Sequence, residues 1–245
     1  MAPPVASPLA FFDRVYVINL PQRTDRRRQM ERELLRAGLP LMPGKVEIFP
    51  AIRPADKEGF PSIGACGCFR SHLSIFKVAA QQNARNALMV EDDLTISDKF
   101  HEQFDSIARQ LGETKWDFAY LGHVLELPSS PAQVLMTPCT PETKLMTTHF
   151  YAAGGAILPR LIEFLEQMQQ RPPGDPRGGP MHVDGALSTF RRQNPDVVTL
   201  VAHPNLGFQR SSPSDVAQRK WVDRYPGAKQ VASFARAVAS RLRGR

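Results

Sequence analysis

Three consecutive carboxylates follow an apolar run near the middle of the sequence. The stretch "NALMVEDDLTIS" places Glu91, Asp92 and Asp93 directly after residues whose apolar character predicts a buried strand. Neighbouring like charges repel one another, and burial of a carboxylate is costly without a compensating cation. The triplet therefore indicates either a solvated acidic turn or a site that binds a cation.

The spacing of the triplet suggests that its three carboxylates have different roles. Successive side chains of a strand point to opposite faces, so Glu91 and Asp93 are expected on one side and Asp92 on the other. One side can then face Mg²⁺ or Mn²⁺, which are hard cations that take oxygen ligands. Asp92 is left to reach a sugar hydroxyl. The solvated turn stays open as the alternative.

A cationic motif, "INLPQRTDRR", follows the first predicted strand. Arginine side chains and the N–H groups of a helix N-terminus both suit phosphate. Ligands of open α/β sheets bind beyond the carboxyl ends of the strands, so this motif and the carboxylates are expected at the same edge. A nucleotide diphosphate with a divalent ion needs both kinds of group. A solvated, arginine-rich helix is the alternative.

The elements that must position these groups alternate between strands and helices. Apolar runs predict strands at 14–20, 45–52, 86–93, 116–122, 150–158 and 196–202, with short antiparallel strands between 123 and 148. Periodic segments predict helices at 24–38, 64–82, 98–111, 159–170 and 183–193, with Thr24 and Ser97 as N-caps. This order predicts an α/β fold with a Rossmann-like, mostly parallel sheet and helices on both faces.

Composition narrows the class of protein further. The chain has 245 residues, of which 42% are hydrophobic, and no apolar run long enough to span a bilayer, so we expect a soluble globular domain. A net charge of +7 indicates an anionic partner. We expect a flexible leader at 1–13, one domain at 14–228 and a basic amphipathic helix at 229–245.

The cysteines do not predict a disulfide framework. There are three, and Cys66 and Cys68 stand two residues apart in "CGC", which fits a reducing compartment. This pair together with His72 offers metal-ligand chemistry, but no second cluster completes a tetrahedral site. Small residues that fill a crowded helix start are the other interpretation.

Six motifs, taken in order, resemble glycosyltransferase family 25, which includes bacterial lipooligosaccharide galactosyltransferases and is related to the collagen galactosyltransferases. They are "VYVINLPQRTDRR", "IGACGCFRSHLSIFK", "LMVEDDLTI", "WDFAYLG", "AAGGAIL" and "VDGAL", and the resemblance runs from about residue 14 to 215. It implies a GT-A fold, a nucleotide-sugar donor and inversion at the anomeric carbon.

The resemblance also implies roles for particular residues. It makes Asp93 the direct metal ligand, Glu91 a ligand through water and His203 a late third ligand, for which His149 and His182 compete. Contacts with the donor are implied for Asn19, Arg23, Arg26, Ser71, His72, Glu91, Asp92, Gln209, Ser212 and Asp215, the last three in a closing loop.

Transfer of a sugar also needs a base that takes the proton from the acceptor hydroxyl. Asp184, in "MHVDGALSTF" after a Gly- and Pro-rich loop, is the candidate base, and the alternative is that it only caps a helix. The family carries an aromatic residue after this aspartate, whereas this chain has Gly185.

We therefore expect an inverting glycosyltransferase that uses Mn²⁺ or Mg²⁺ to move a hexose, galactose, from a UDP-sugar to a saccharide such as lipooligosaccharide. One alternative is a metal-dependent phosphatase or nuclease that uses the same carboxylates. The other is a basic nucleic-acid-binding module. The expected location is cytoplasmic, and the apolar face of 229–245 either packs on the domain or lies on an anionic membrane surface.

Overall fold

A seven-stranded sheet lies at the centre of the computed structural model, which describes residues 7–127 and 134–210. The strands are β1 (Arg14–Asn19), β2 (Val46–Pro50), β3 (Asn86–Glu91), β4 (Leu94–Ile96), β5 (Phe118–Tyr120), β6 (Met136–Cys139), β7 (Phe150–Gly154), β8 (Thr199–Ala202) and β9 (Gly207–Gln209). The helices are α1 (Pro8–Phe11), α2 (Thr24–Arg36), α3 (Ile63–Gln81), α4 (Asp98–Glu113), α5 (Leu158–Gln170) and α6 (Val183–Gln193). All these elements belong to one compact unit that extends to Gln209.

The strand order in the main sheet is β2-β1-β3-β7-β5-β8-β6. Strands β1, β2, β3, β5 and β8 share one direction, while β7 and β6 run against their neighbours. The prediction of an α/β fold with a mostly parallel sheet is confirmed. Strands β4 and β9 pair with each other in a separate antiparallel ladder beside the carboxyl edge of β3.

The two faces of the sheet carry separate apolar cores. Along β1, Val15 and Val17 pack with helices α2 and α4, whereas Tyr16 and Ile18 pack with α3, α5 and α6. The same alternation continues along the neighbouring strand β3. Apolar area is therefore buried on both faces, as the continuously apolar sequence of a central strand requires.

The helix boundaries agree with most of the predicted start and stop signals. Ser97 caps α4, where its hydroxyl accepts a hydrogen bond from the Lys99 N–H at 3.3 Å. The assignment of Thr24 as the N-cap of α2 is wrong, because Arg23 occupies that position and Thr24 is already helical. Gly38 lies just beyond the helix with a φ of +72°, a value that favours glycine.

Part of the predicted flexible leader is ordered, which corrects that expectation for residues 7–13. Ser7 caps the short helix α1, and its hydroxyl accepts a hydrogen bond from the Ala10 N–H. Phe12 is fully buried against α4, where its ring packs on Phe104. The apolar "LAFF" segment thus has a partner that sequence periodicity alone does not identify.

Two expectations about membranes have different outcomes. Within the described part of the chain, no helix is both long enough and apolar enough to cross a bilayer. The predicted basic helix at 229–245 lies outside the described residues, so its two interpretations both stay predictions.

Candidate active site

The three carboxylates lie at the carboxyl edge of the sheet, as predicted, but the backbone does not stay extended through them. Strand β3 ends at Glu91, and a turn holds Asp92 and Asp93 before β4 begins. The expected alternation of side chains therefore stops at Glu91, and its extension to Asp93 is wrong. Asp92 and Asp93 instead share one cation, Arg26, whose Nη1 lies 2.8 Å and 3.6 Å from their carboxylate oxygens.

Asp92 is the most enclosed member of the triplet. The Asn19 side-chain amide donates a hydrogen bond of 2.7 Å to its Oδ2, while Arg26 donates one of 2.8 Å to its Oδ1. Asn19 also donates to the Arg23 carbonyl at 3.2 Å and so joins the end of β1 to the start of α2. These bonds offset the cost of burying the Asp92 charge, because charge-assisted hydrogen bonds stabilise the ionised form.

Arg23, the other predicted donor contact of this motif, is paired at the surface. It donates two hydrogen bonds, of 3.0 and 2.9 Å, to the exposed carboxylate of Asp25. The guanidinium of Arg23 lowers the pKa of Asp25 to about 2. A contact between Arg23 and a donor therefore stays a prediction.

Glu91 points away from Arg26 towards a different set of groups. Thr148 donates to its Oε1 at 2.9 Å, and the Gln209 side-chain amide donates to its Oε2 at 3.1 Å. Burial opposes ionisation of Glu91, but His72, His149 and Thr148 outweigh it, so the pKa of Glu91 lies below its ordinary value. Gln209 thereby connects the start of the predicted closing loop to the acidic motif, while Ser212 and Asp215 lie outside the described residues.

His72 is buried beneath Glu91 within α3. Its Nδ1 lies 2.8 Å from the hydroxyl oxygen of Tyr151, and its ring stacks on the Tyr151 ring with centroids 5.7 Å apart. Its Nε2 lies 3.8 Å from Glu91 Oε1, a distance too long for a hydrogen bond. This buried nitrogen has no hydrogen-bond partner among the described residues.

Ser71 has a different position from the one that a donor contact requires. Its side chain is fully buried, and its hydroxyl donates to the Gly67 carbonyl at 2.7 Å. The same oxygen accepts a hydrogen bond of 2.8 Å from the N–H of Ile52, two residues beyond β2. Ser71 therefore fixes the loop after β2 against α3, and direct contact with a donor stays a prediction.

Asp184 lies in the first turn of α6, close enough to Glu91 for their charges to interact. His182 is the N-cap residue, and the Asp184 carboxylate accepts a hydrogen bond of 2.7 Å from the Gly185 N–H. Burial raises the pKa of Asp184, the Gly185 bond lowers it and the charge of Glu91 raises it, with an upward net result. A carboxyl group with a raised pKa takes up a proton more readily, which suits a general base.

The predicted third metal ligand, His203, is remote from the triplet in the sheet. It directly follows β8, and β8 lies three strand positions from β3, which is about 14 Å at ordinary strand spacing. In contrast, the carbonyl of His149 accepts a hydrogen bond from the Glu91 N–H at 3.0 Å. The choice among the histidines stays a prediction, with His149 nearer to the motif.

One group of side chains in the described residues could hold a metal ion, and it combines ligands that the sequence assigned to two separate candidate sites. The sulfur of Cys68, a nitrogen of His72 and an oxygen of Glu91 all lie within 4.8 Å of one another. The signal available in the sequence was the spacing of Cys68 and His72, which are four residues apart on one helical face. Of the two cysteines that the sequence offered beside His72, Cys68 joins this group, whereas Cys66 lies in the apolar core.

An open groove of about 520 Å³ lies beside the first motif and separate from the three carboxylates. It is lined by Asn19, Pro21, Arg27, Leu41, Met42, Pro43, Val46, Glu47, Ile48 and Pro50. Asn19 connects it to the acidic motif through the bond to Asp92.

The sheet order, the antiparallel strand β7 beside β3 and the acidic turn at the carboxyl edge together define a fold of the GT-A type. A solved structure has a similar fold: "Crystal structure of a glycosyltransferase involved in the glycosylation of the major capsid of PBCV-1". The TM-score is 0.50 at 12% identity, and the match covers 82% of this chain and 93% of the other.

The chain belongs to glycosyltransferase family 25. The model of that family, described as "Glycosyltransferase family 25 (LPS biosynthesis protein)", matches residues 12–148, and this confirms the resemblance. Procollagen galactosyltransferase 2 of Mus musculus is 24% identical over 202 residues, which cover 75% of this chain and 31% of the relative. Procollagen galactosyltransferase 1-A of Xenopus laevis is 33% identical over 129 residues, 45% of this chain and 21% of the relative. The chain thus spans about a third or less of these relatives.

Proposed function

We propose that the chain is an inverting glycosyltransferase that moves galactose from a UDP-sugar to a saccharide acceptor. The observation that carries the proposal is the group of three carboxylates, Glu91, Asp92 and Asp93, at the end of a central strand, with Arg26 against two of them. The names of the procollagen relatives support galactose. The description of the family supports lipooligosaccharide as the acceptor.

A divalent cation suits the oxygen ligands that this motif offers. The Glu91 and Asp93 side chains are 19% and 18% exposed, so part of each side chain reaches the surface at the edge of the sheet. They would hold Mn²⁺ or Mg²⁺, which are cations that favour carboxylates and substrate phosphates. When bound, the ion neutralises charge on the diphosphate of the donor.

The protein's own cations assist at the same place. Arg26 brings a guanidinium to the turn, and a guanidinium suits the oxygens of a phosphate as well as those of a carboxylate. Helix α2 begins at Thr24, two residues before Arg26, and the positive end of its dipole favours an anion. These groups orient the diphosphate so that its bond to the sugar points to the acceptor.

Asp184 acts as the general base in this proposal. It accepts the proton of the acceptor hydroxyl while that oxygen attacks the anomeric carbon from the face opposite the diphosphate, which inverts the configuration. Its raised pKa strengthens it as a proton acceptor. Residues 210–215 follow Gln209 and would fold over the donor, with Ser212 and Asp215 in contact with it.

The phosphatase or nuclease alternative fits the site less well. Such an enzyme commonly holds two metals about 4 Å apart with additional acidic ligands. In the described part of the chain, Arg26 lies against two of the three carboxylates and already supplies positive charge there. Membership of family 25 also favours glycosyl transfer over the nucleic-acid-binding alternative.

A donor and acceptor screen of the full chain tests the proposal. Calorimetry with Mn²⁺ present would compare UDP-galactose, UDP-glucose and UDP-N-acetylglucosamine with GDP- and CMP-sugars. We expect UDP-galactose to bind at least about 10-fold more tightly than the GDP- and CMP-sugars, a difference of about 1.4 kcal/mol. Transfer is then measured to lipooligosaccharide-derived saccharide and to a procollagen-derived peptide. Transfer to the peptide alone would contradict the acceptor, and binding of no UDP-sugar would contradict the function.

A further inference from the structure

A helix and a strand end bring a thiol, an imidazole and a carboxylate together beneath the acidic turn. Cys68 and His72 are four residues apart in α3 and face the same way, towards Glu91 at the end of β3. We propose that Cys68 Sγ, His72 Nε2 and the Glu91 carboxylate form a binding site for a thiophilic divalent cation of the Zn²⁺ class. This site is distinct from the hard-cation site of the proposed function, although Glu91 belongs to both.

The state of His72 is the strongest observation for this site. Its side chain is completely buried, and its Nε2 has no hydrogen-bond partner among the described residues although it faces Glu91 at 3.8 Å. A buried polar atom without a partner is costly, so this nitrogen needs an explanation. A cation between the imidazole and the carboxylate supplies one.

The other ring nitrogen of His72 is held as a metal-binding histidine requires. Nδ1 lies 2.8 Å from the Tyr151 hydroxyl oxygen. When Nδ1 carries the proton and donates to this oxygen, the lone pair of Nε2 is left for a cation. A histidine that binds a metal commonly donates its second N–H to an outer partner, which fixes the tautomer and the ring. The stacked rings of Tyr151 and Tyr120 hold that partner in place.

The distances are compatible with tetrahedral coordination after a small adjustment. At ordinary Zn–N, Zn–O and Zn–S bond lengths, neighbouring ligand atoms are about 3.3–3.8 Å apart. His72 Nε2 and Glu91 Oε1 are already 3.8 Å apart, and the sulfur of Cys68 lies within 4.8 Å of both groups. Side-chain shifts of about 1 Å would close the site and leave a fourth position for water.

Cys68 is chemically available for this role. It is a free thiol at a half-buried position, where burial raises the pKa of the thiol, so a cation must displace its proton, whereas Cys66 is fully buried. Binding replaces the S–H bond with a metal–sulfur bond, and the proton passes to the solvent, so cation affinity must rise with pH. The sulfur and imidazole ligands favour Zn²⁺ over Mg²⁺, which takes oxygen ligands.

Co²⁺ binding to the reduced, chelator-treated full chain tests the site, because a thiolate bound to Co²⁺ gives a charge-transfer absorption band. We expect this band in the wild type and its loss when Zn²⁺ displaces Co²⁺. The Cys66→Ala/Cys139→Ala variant keeps Cys68 as the sole cysteine and should retain the band. The Cys68→Ala variant should lose it and bind Zn²⁺ at least about 100-fold more weakly than the matched Cys66→Ala control.

Several results would overturn the proposal. One is a wild-type Co²⁺ complex without the band, and another is loss of the band in the Cys66→Ala/Cys139→Ala variant. The third is an equal Zn²⁺ affinity of the Cys68→Ala and Cys66→Ala variants. If Cys68→Ala fails to fold, the variant with Cys68 as the sole cysteine decides the question. None of these readouts depends on glycosyl transfer, so the site and the proposed function can fail separately.

Discussion

At the scale of single residues, Arg26 determines how the acidic turn is held. It is the cation that makes two adjacent carboxylates tolerable at a nearly buried position, because its Nη1 contacts both Asp92 and Asp93. Asn19 supplies the second bond to Asp92. These contacts hold the two carboxylates of the turn in a defined arrangement.

Replacement of Arg26 by alanine should destabilise the fold. The side chains of Arg26 and Asp92 are only 19% and 10% exposed, so loss of the cation leaves a poorly solvated carboxylate. We expect the free energy of unfolding to fall by about 2 kcal/mol, between the values for surface and fully buried pairs. Urea denaturation of the variant measures it.

The neighbouring arginine provides the control for this variant. Arg27 pairs with Glu31 one helical turn away, and both side chains are well exposed. Arg27→Ala should cost no more than about 0.5 kcal/mol. Equal losses in the two variants would contradict the role that we assign to Arg26.

Asp184 should show opposite effects on activity and stability. As the base, it must be ionised, so transfer should fall as the pH drops through its raised pKa, at a higher pH than for an ordinary aspartate. We expect Asp184→Asn to lower kcat by at least about 100-fold while UDP-sugar affinity stays within a few-fold. Collapse of donor binding together with kcat would assign Asp184 to the donor or to structure.

The stability of the Asp184→Asn variant follows from the coupling between proton binding at Asp184 and folding. The native state holds this proton more tightly than the unfolded chain, so ionisation of Asp184 opposes folding above its raised pKa. The variant should therefore unfold at a higher temperature than the wild type near neutral pH. The difference in unfolding temperature should vanish below the ordinary aspartate pKa, where Asp184 is protonated in both the native and the unfolded state. Calorimetric scans at several pH values measure this difference. A neutral-pH melting temperature below that of the wild type would contradict this assignment.

The residue types of the site were readable from the sequence, but their pairing was not. Asn19, Arg26 and the three carboxylates follow two neighbouring strands, so their meeting at one edge was predictable. The turn at Asp92 could not be predicted from the sequence, because an alternating strand pattern does not indicate the residue at which the strand ends. The contact between Glu91 and Gln209 joins residues 118 positions apart, and no local pattern records it.

At the scale of elements, α3 approaches the loop after β2 so closely that only glycine fits at position 67. A Cβ atom on Gly67 would lie 2.3 Å from the Ile52 carbonyl oxygen, well inside contact distance. The close approach accounts for the glycine of "CGC". The close approach also lets Ser71 bond the Ile52 N–H.

Substitution of this glycine by alanine should separate the helix from the loop. We expect Gly67→Ala to lower the free energy of unfolding by about 1–3 kcal/mol, as overpacking usually does. Gly112 in α4 is the matched control, since nothing lies within 4 Å of its added Cβ. Gly112→Ala should stabilise the protein by about 0.5–1 kcal/mol through helix propensity. Thermal unfolding of both variants measures the contrast, and similar shifts would contradict the packing argument.

Element positions were mostly predictable, whereas strand directions and some boundaries were not. The apolar run at 150–158 predicted β7, yet its antiparallel direction depends on which strands flank it in the sheet. The helix α2 begins one residue earlier than its Thr24 signal implied, because Arg23 takes the cap position without a side-chain bond. Propensity locates an element, and tertiary contacts then determine how it ends and pairs.

At the scale of the whole molecule, the +7 net charge favours association with an anionic partner. We propose that the segment 229–245 places the enzyme on the anionic cytoplasmic leaflet, near a lipid-linked acceptor. Each basic residue near such a surface contributes about 1 kcal/mol. Co-sedimentation with anionic liposomes should fall with salt and disappear in a chain that ends at Gly227, while transfer to a soluble saccharide continues. Equal binding by both chains, or unfolding on truncation, would assign the segment a structural role.

The most direct test of the account measures transfer of galactose from UDP-galactose by the wild type, Asp93→Asn and Asp98→Asn, with and without EDTA. The matched control Asp98 lies at the start of α4, and its side chain is 86% exposed. We predict that Asp93→Asn lowers transfer at least about 100-fold, as loss of a key electrostatic group does, and that Asp98→Asn does not. EDTA should abolish wild-type transfer, and Mn²⁺ or Mg²⁺ should restore it. Full activity in EDTA, or equal activity of the two variants, would contradict a metal-dependent transferase centred on this turn.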